Sequence, residues 1–92
     1  MELKEILATK EELHGDWELT HNSTRLLRKY KFKNFKEPFA LLIKVSELAE
    51  IAKHHPELKL GWGYLEIEIY THTVNGLQLG DFNLARKIDA LV

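Results

Sequence analysis

The chain has 92 residues, with 13 Lys and Arg against 14 Asp and Glu, 45% hydrophobic residues and no cysteine. That length builds a single domain over residues 1–92 with one core, so an active site must draw on the whole fold or on a second subunit. The absence of cysteine excludes a disulfide framework, a thiolate nucleophile and a cysteine-based zinc site, and the near-zero net charge lacks the basic excess of a stand-alone nucleic-acid binder.

No stretch approaches membrane-spanning length, and Met1 to Leu13 lacks the apolar run of a signal peptide, so a cytoplasmic location is the default expectation. From Glu2 to about Leu13, the positions Leu3, Ile6, Leu7 and Leu13 share roughly one helical face; Thr9 and Glu12 match a capping box that would split this region into two short helices. Trp17 and Leu19 alternate with polar residues, His21-Asn22-Ser23 supplies a turn, and Leu26 to Phe32 resumes an extended pattern, which predicts a hairpin. In the basic cluster Arg25, Arg28, Lys29, Lys31, Lys33 and Lys36, the lysines alternate with Tyr30 and Phe32, which reads as a solvated strand face rather than a phosphate site. Asn34 and Glu37 form a capping pair with Pro38 in the first turn of a long helix, whose apolar residues Phe39, Leu41, Leu42, Ile43, Val45, Leu48, Ala49, Ile51 and Ala52 cover more than one stripe. One core cannot bury both sides, so the second side predicts a subunit contact.

Pro56 disfavours helix at His55 and stops this helix at about His54 or His55. Leu58 to Trp62 and Tyr64 to Thr71 then read as two strands around the Gly61 and Gly63 turn, with Leu65, Ile67 and Ile69 on one face and Glu66, Glu68, Tyr70 and His72 on the other. After a turn at Val74-Asn75-Gly76, a last helix from about Leu79 carries Leu84, Ala85, Ile88, Leu91 and Val92 as its stripe. The order α-β-β-α-β-β-α predicts an α+β fold, a four-stranded antiparallel sheet with three helices on one face.

Histidine dominates the candidate chemistry. Glu50 and His54 are four apart, so on a helix they sit on one face and can pair as a carboxylate and an imidazole, and an imidazole with a fixed tautomer can give and take protons near neutral pH. Taken singly, each residue has a plainer explanation: His54 and His55 as last-turn histidines favoured by the helix dipole, His72 as a solvated strand-end residue, Asp81 as a capping carboxylate, and His14 and His21 as surface residues. A histidine and carboxylate metal site ranks low because HExxH spacing is absent and adjacent His54 and His55 converge poorly on one ion. No GxGxxG, Walker-type loop or serine-nucleophile motif is present.

Read together, Glu50, His54-His55-Pro56, Trp62, Thr71-His72, Gly76-Leu77 and Asp81-Phe82 resemble the signature of the pterin-4a-carbinolamine dehydratase family, and Trp17, Phe32, Phe35 and Glu37 resemble its N-terminal half. The resemblance implies dehydration of a 4a-hydroxytetrahydropterin (4a-hydroxytetrahydrobiopterin) to quinonoid dihydropterin and water, in tetrahydrobiopterin recycling for aromatic amino-acid hydroxylation. It implies a homodimer or homotetramer and no metal or organic cofactor. It assigns His54, His55 and His72 to the catalytic set, with His54 and His72 as the acid/base pair and His55 binding the pterin. Glu50 would tune His54, Asp81 would support the loop carrying His72, and Pro56, Trp62 and Thr71 would join His55 in substrate binding. Three positions depart from the pattern: Leu58 stands where an aromatic is frequent, Gln78 where a Ser or Thr cap is usual, and Phe82 where Trp is frequent. Two other functions stay open at this point, a non-enzymatic dimerisation module of the transcriptional-coactivator type and a pterin-binding protein of another pterin pathway; neither involves direct nucleic-acid or membrane contact.

Overall fold

The computed structural model describes residues 1–91. Helix α1 spans Leu3–Lys10, strands β1 and β2 span Glu18–Thr20 and Arg25–Lys31, α2 spans Lys36–Ala52, β3 and β4 span Glu57–Gly61 and Tyr64–Ile69, and α3 spans Leu79–Asp89. A single 3-10 turn, His72–Val74, lies between β4 and α3. The expected element order is therefore observed. The four strands form one sheet in the order β1-β2-β4-β3, every neighbouring pair antiparallel.

Two local hairpins meet along β2 and β4, in the register Leu26↔Ile69, Arg28↔Ile67 and Tyr30↔Leu65. Side chains alternate across a strand, so these positions share the face that the helices cover. Leu26, Leu65, Ile67 and Ile69 are fully buried there beneath Ile6 of α1, Leu41 and Val45 of α2, and Phe82, Leu84, Ala85 and Ile88 of α3. Leu91 packs on the same core, while Val92 of the expected stripe lies outside the described residues. The opposite face carries Arg25, Leu27, Glu66, Glu68 and Tyr70 and has no helix on it.

The loops show why the hairpins close. His21, Asn22 and Ser23 all adopt the left-handed conformation, at φ of 52°, 57° and 63°, and the turn is held by Thr24 N–H donating to the Thr20 carbonyl at 3.1 Å. In the β3–β4 turn, Gly63 sits at φ +81°, and a Cβ there would lie 3.0 Å from the Phe32 carbonyl oxygen, so this position requires glycine. The Asn34 and Glu37 capping pair forms as expected, with Glu37 N–H donating to Asn34 Oδ1 at 2.9 Å. The Thr9 and Glu12 pair does not start a second helix; Thr9 Oγ1 instead donates back to the Glu5 carbonyl at 2.7 Å, and α1 is one short helix.

Two expectations are corrected. Helix α2 ends at Ala52 rather than His54 or His55, because Lys53 turns left-handed at φ 53°. Lys53 N–H donates to the Glu50 carbonyl at 3.3 Å and His54 N–H to the Ala49 carbonyl at 3.1 Å, the two bonds of a Schellman stop. Arg28, expected on a solvated face, is buried on the helix side of β2. Its Nη1 donates to Asp89 Oδ1 at 2.5 Å, and Asp89 also accepts Trp17 Nε1 at 2.7 Å and His14 N–H at 3.1 Å. A buried guanidinium needs such a partner, and this one ties α3 to the sheet and to the segment before β1.

Candidate active site

Asp81 is the organising residue of the site. It lies in the first turn of α3, has no solvent exposure, and its two oxygens have different partners. Oδ2 accepts the backbone N–H of Gln78 at 2.8 Å, which caps the helix, and the hydroxyl of Thr71 at 2.7 Å, which fixes the residue before His72. Oδ1 pairs closely with His54 Nε2. A carboxylate only accepts hydrogen bonds, so Nε2 carries the hydrogen in this pair, and the hydrogen bond to Asp81 leaves Nδ1 as the ring's other nitrogen. Gln78 and Asp81 form a reciprocal capping box, which explains how the helix starts without the usual Ser or Thr.

The Schellman stop decides where the two neighbouring histidines point. Once Lys53 has turned left-handed, the four-residue spacing that predicted a Glu50 and His54 pair no longer applies. His54 turns inward to Asp81 with its side chain 23% exposed, and Glu50 instead pairs with His55, whose Nε2 lies 2.5 Å from Glu50 Oε2. Both groups of that second pair are largely exposed, so it orients His55 without contributing much to stability. Pro56 follows and leads directly into β3.

His72 is reached through the same carboxylate. Thr71 bridges Gly76 across the short loop, with Thr71 N–H donating to the Gly76 carbonyl at 2.8 Å, and Thr71 bonds to Asp81. One buried side chain thus ties His54 to the residue preceding His72, across a separation of 27 residues on one side and 10 on the other. The His72 ring is exposed and lies 4.2 Å from the Tyr70 ring, tilted by 34°. Tyr70 also lines a cleft of about 300 Å³ on the uncovered sheet face, together with Leu27, Glu57, Leu58, Lys59, Glu66 and Glu68. That cleft begins one residue beyond His55-Pro56 and ends two residues before His72.

Trp62 is not brought to this site within the chain. It sits in the β3–β4 turn, 70% exposed, at the other end of the strands from Pro56. Five steps along a strand at ~3.3 Å each put it roughly 17 Å from Glu57. Leu58, at the departing position, packs partly buried against the core. Residues that the sequence reading left out of the site are Tyr70 and Arg25: the guanidinium of Arg25 lies 3.5 Å from the centre of the Tyr70 ring. Tyr70 was recognisable as sharing a strand face with His72, but Arg25 is 45 residues away and only the strand register brings it there. Among the described residues, no group of three or more His, Asp and Glu is arranged to hold a metal ion.

The family model described as pterin 4 alpha carbinolamine dehydratase matches residues 1–91. The chain belongs to this family. A relative from Methylococcus capsulatus, provisionally named pterin-4-alpha-carbinolamine dehydratase, is 45% identical over 75 residues, covering 82% of this chain and 66% of its own length. One of the same provisional name from Rickettsia bellii is 43% identical over 91 residues, covering 99% of this chain and 80% of the relative. The match thus spans just under two thirds of the first relative and four fifths of the second. Among solved structures, a transcriptional coactivator/pterin dehydratase from Brucella melitensis superposes with a TM-score of 0.90 at 26% identity, over 99% of this chain and 96% of that one. A pterin dehydratase-like protein identified as a RuBisCO assembly factor in the alpha-carboxysome shares the fold, with a TM-score of 0.70 at 23% identity over 85% of this chain and 90% of that one. The dehydratase family therefore includes this chain over its whole described length.

Proposed function

We propose that the protein dehydrates a 4a-hydroxytetrahydropterin to the quinonoid dihydropterin and water by histidine acid/base catalysis. The observation that carries this reading is the buried Asp81 carboxylate holding His54 by one oxygen and Thr71, beside His72, by the other. The reaction needs a proton delivered to the departing 4a-hydroxyl and a proton removed from the ring nitrogen, and no nucleophile. His54, with its hydrogen on Nε2 directed to Asp81, offers Nδ1 for one transfer; His72, exposed beside Tyr70, serves the other. His55 leans on Glu50 and holds the pterin ring. Thr71, whose hydroxyl donates to Asp81, keeps its acceptor lone pairs for the substrate.

A synthetic 4a-hydroxytetrahydropterin assayed with the wild type, His54→Ala and His72→Ala tests the reading. The wild type should exceed buffer, and each variant should lose about 10²–10⁴-fold, the usual contribution of one positioned acid or base. Three equal rates no faster than buffer would rule the dehydratase out. The pterin is drawn from the tetrahydrobiopterin cycle in this reading, and the site of action is the cytoplasm.

A specific feature also supports self-association. Phe39, Ile43 and Ile51 are 45%, 44% and 77% exposed along one side of α2, where a concavity of about 460 Å³ runs past Leu42, Ser46, Glu47 and Glu50. An apolar side of this extent on a helix whose other side already fills the core suits a homo-oligomer. The same surface would serve a coactivator-type partner if the dehydratase assay failed.

A further inference from the structure

We infer that Arg25 and Tyr70 are positioning residues that hold the His72 imidazole in its working orientation; the catalytic part of this inference rests on the dehydratase reading. His72 begins a three-residue 3-10 turn and its side chain is exposed, so nothing in the core fixes its rotamer. A proton-transfer group must nevertheless meet its substrate within a fraction of an ångström.

The ring that meets His72 is Tyr70, two residues earlier on the same sheet face, at 4.2 Å between centres. Tyr70 is in turn held by Arg25, whose guanidinium carbon lies 3.5 Å from the Tyr70 ring centre. Cation, phenol ring and imidazole form one contiguous set across β2, the residue after β4 and the turn that follows.

The polar atoms of Arg25 grip the same loop from its far end. Nη2 donates to Asn75 Oδ1 at 3.0 Å, and Asn75 is the left-handed residue that closes the His72–Val74 turn. Nη1 donates to the Thr24 hydroxyl at 3.0 Å and to the Thr24 carbonyl at 3.3 Å, while Nε lies 4.0 Å from Glu68. Thr24 itself ends the turn in which three consecutive residues are left-handed. A guanidinium engaged by the hydroxyl and carbonyl of one turn, the amide of another and an aromatic face has its donors directed at the protein, which separates this role from that of an anion-binding arginine. The loop carrying His72 is thus fastened at Thr71 by Asp81 and at Asn75 by Arg25, and its ring is fastened by Tyr70.

The test compares Arg25→Gln, Arg25→Lys, Tyr70→Leu and Tyr70→Phe with the wild type, using thermal unfolding to confirm that each is folded. Side-chain NMR of His72 is the readout that does not need activity. The wild-type imidazole resonances should show the ring-current displacement of a neighbouring aromatic. Tyr70→Leu should abolish it and Arg25→Gln should reduce it and broaden the lines, while Tyr70→Phe, which keeps the ring, restores it. Arg25→Lys keeps the charge without the planar fork and should resemble Arg25→Gln. In the dehydration assay, Arg25→Gln and Tyr70→Leu should lower kcat about tenfold or more with KM within about twofold, and Tyr70→Phe should rescue the rate. Unchanged His72 resonances in Arg25→Gln overturn the positioning role, as does a displaced resonance with undiminished kcat. If the wild type shows no dehydration, the functional reading fails on its own, and the NMR comparison still decides whether Arg25 and Tyr70 order His72.

Discussion

At the scale of single residues, a buried carboxylate is tolerated only when its charge is fully matched, and Asp81 meets that requirement with an imidazole, a hydroxyl and a backbone amide. Asp81→Asn keeps the shape but turns one acceptor into a donor facing groups that themselves donate. It should lower stability by about 2–4 kcal/mol, read by denaturant unfolding, and depress dehydration by about 10²-fold because His54 loses its fixed tautomer. A substitution as mild as wild type in both measurements would show that the site is organised some other way. Tyr30 offers a separate measurement. Burial pushes its phenol above the ordinary value, with the Asp89 and Asp16 carboxylates adding to the effect and the Arg28 cation opposing it. Its hydroxyl is buried without a hydrogen-bond partner among the described residues. A raised value in the folded state means the folded chain holds its proton longer, so this contribution is complete below about pH 10 and is lost as pH rises through the folded value. Stability followed by circular dichroism should therefore fall above about pH 10 in the wild type and fall less in Tyr30→Phe.

At the scale of elements, the end of α2 decides which way His54 and His55 point. Had the helix continued to His54, its imidazole would stand above Glu50 on the helix surface; the left-handed Lys53 turns it inward to α3 instead. A lysine in that conformation costs about 1–2 kcal/mol, and glycine there would recover this less its own chain-entropy cost of about 0.5–1 kcal/mol. Lys53→Gly should therefore raise stability by about 0.5–1 kcal/mol, or Tm by about 3–6 °C in a domain of this size, by differential scanning calorimetry. A fall in Tm would show that the lysine side chain contributes something its exposed position does not suggest. The hairpins behave more simply, because the alternation in Tyr64 to Ile69 and the turn residues around Gly63 specify pairing locally.

At the scale of the whole molecule, three helices cover one face of the sheet and, among the described residues, leave the outer sheet face and the far side of α2 uncovered. The α2 side carries the assembly prediction. Placing a charge at two of its exposed apolar positions, as in Ile43→Glu combined with Ile51→Glu, should reduce the mass measured by light scattering to a smaller species while leaving the core untouched. Identical masses for wild type and the double variant would exclude α2 as the contact. The Arg28, Asp89 and Trp17 group acts at this scale too, since it joins the sheet, the last helix and the first loop through one carboxylate.

The sequence by itself determined the element order and the inward face of β4, because alternation, helical spacing and turn residues are local signals, and its resemblance to the family named the candidate residues of the site. His54, His72 and Asp81 were legible in that way. Which partner each histidine takes was decided only by the tertiary structure. Glu50 belongs to His55 and Asp81 to His54 because a single left-handed residue breaks the helical spacing, and no propensity rule marks a lysine for that position. Arg28 turned inward, Trp62 placed at the far end of the strands and Arg25 set against Tyr70 follow from strand register, which pairs residues far apart in the chain. Periodicity along the chain fixes faces; only the packing of β2 against β4 and of α3 against α2 fixes neighbours.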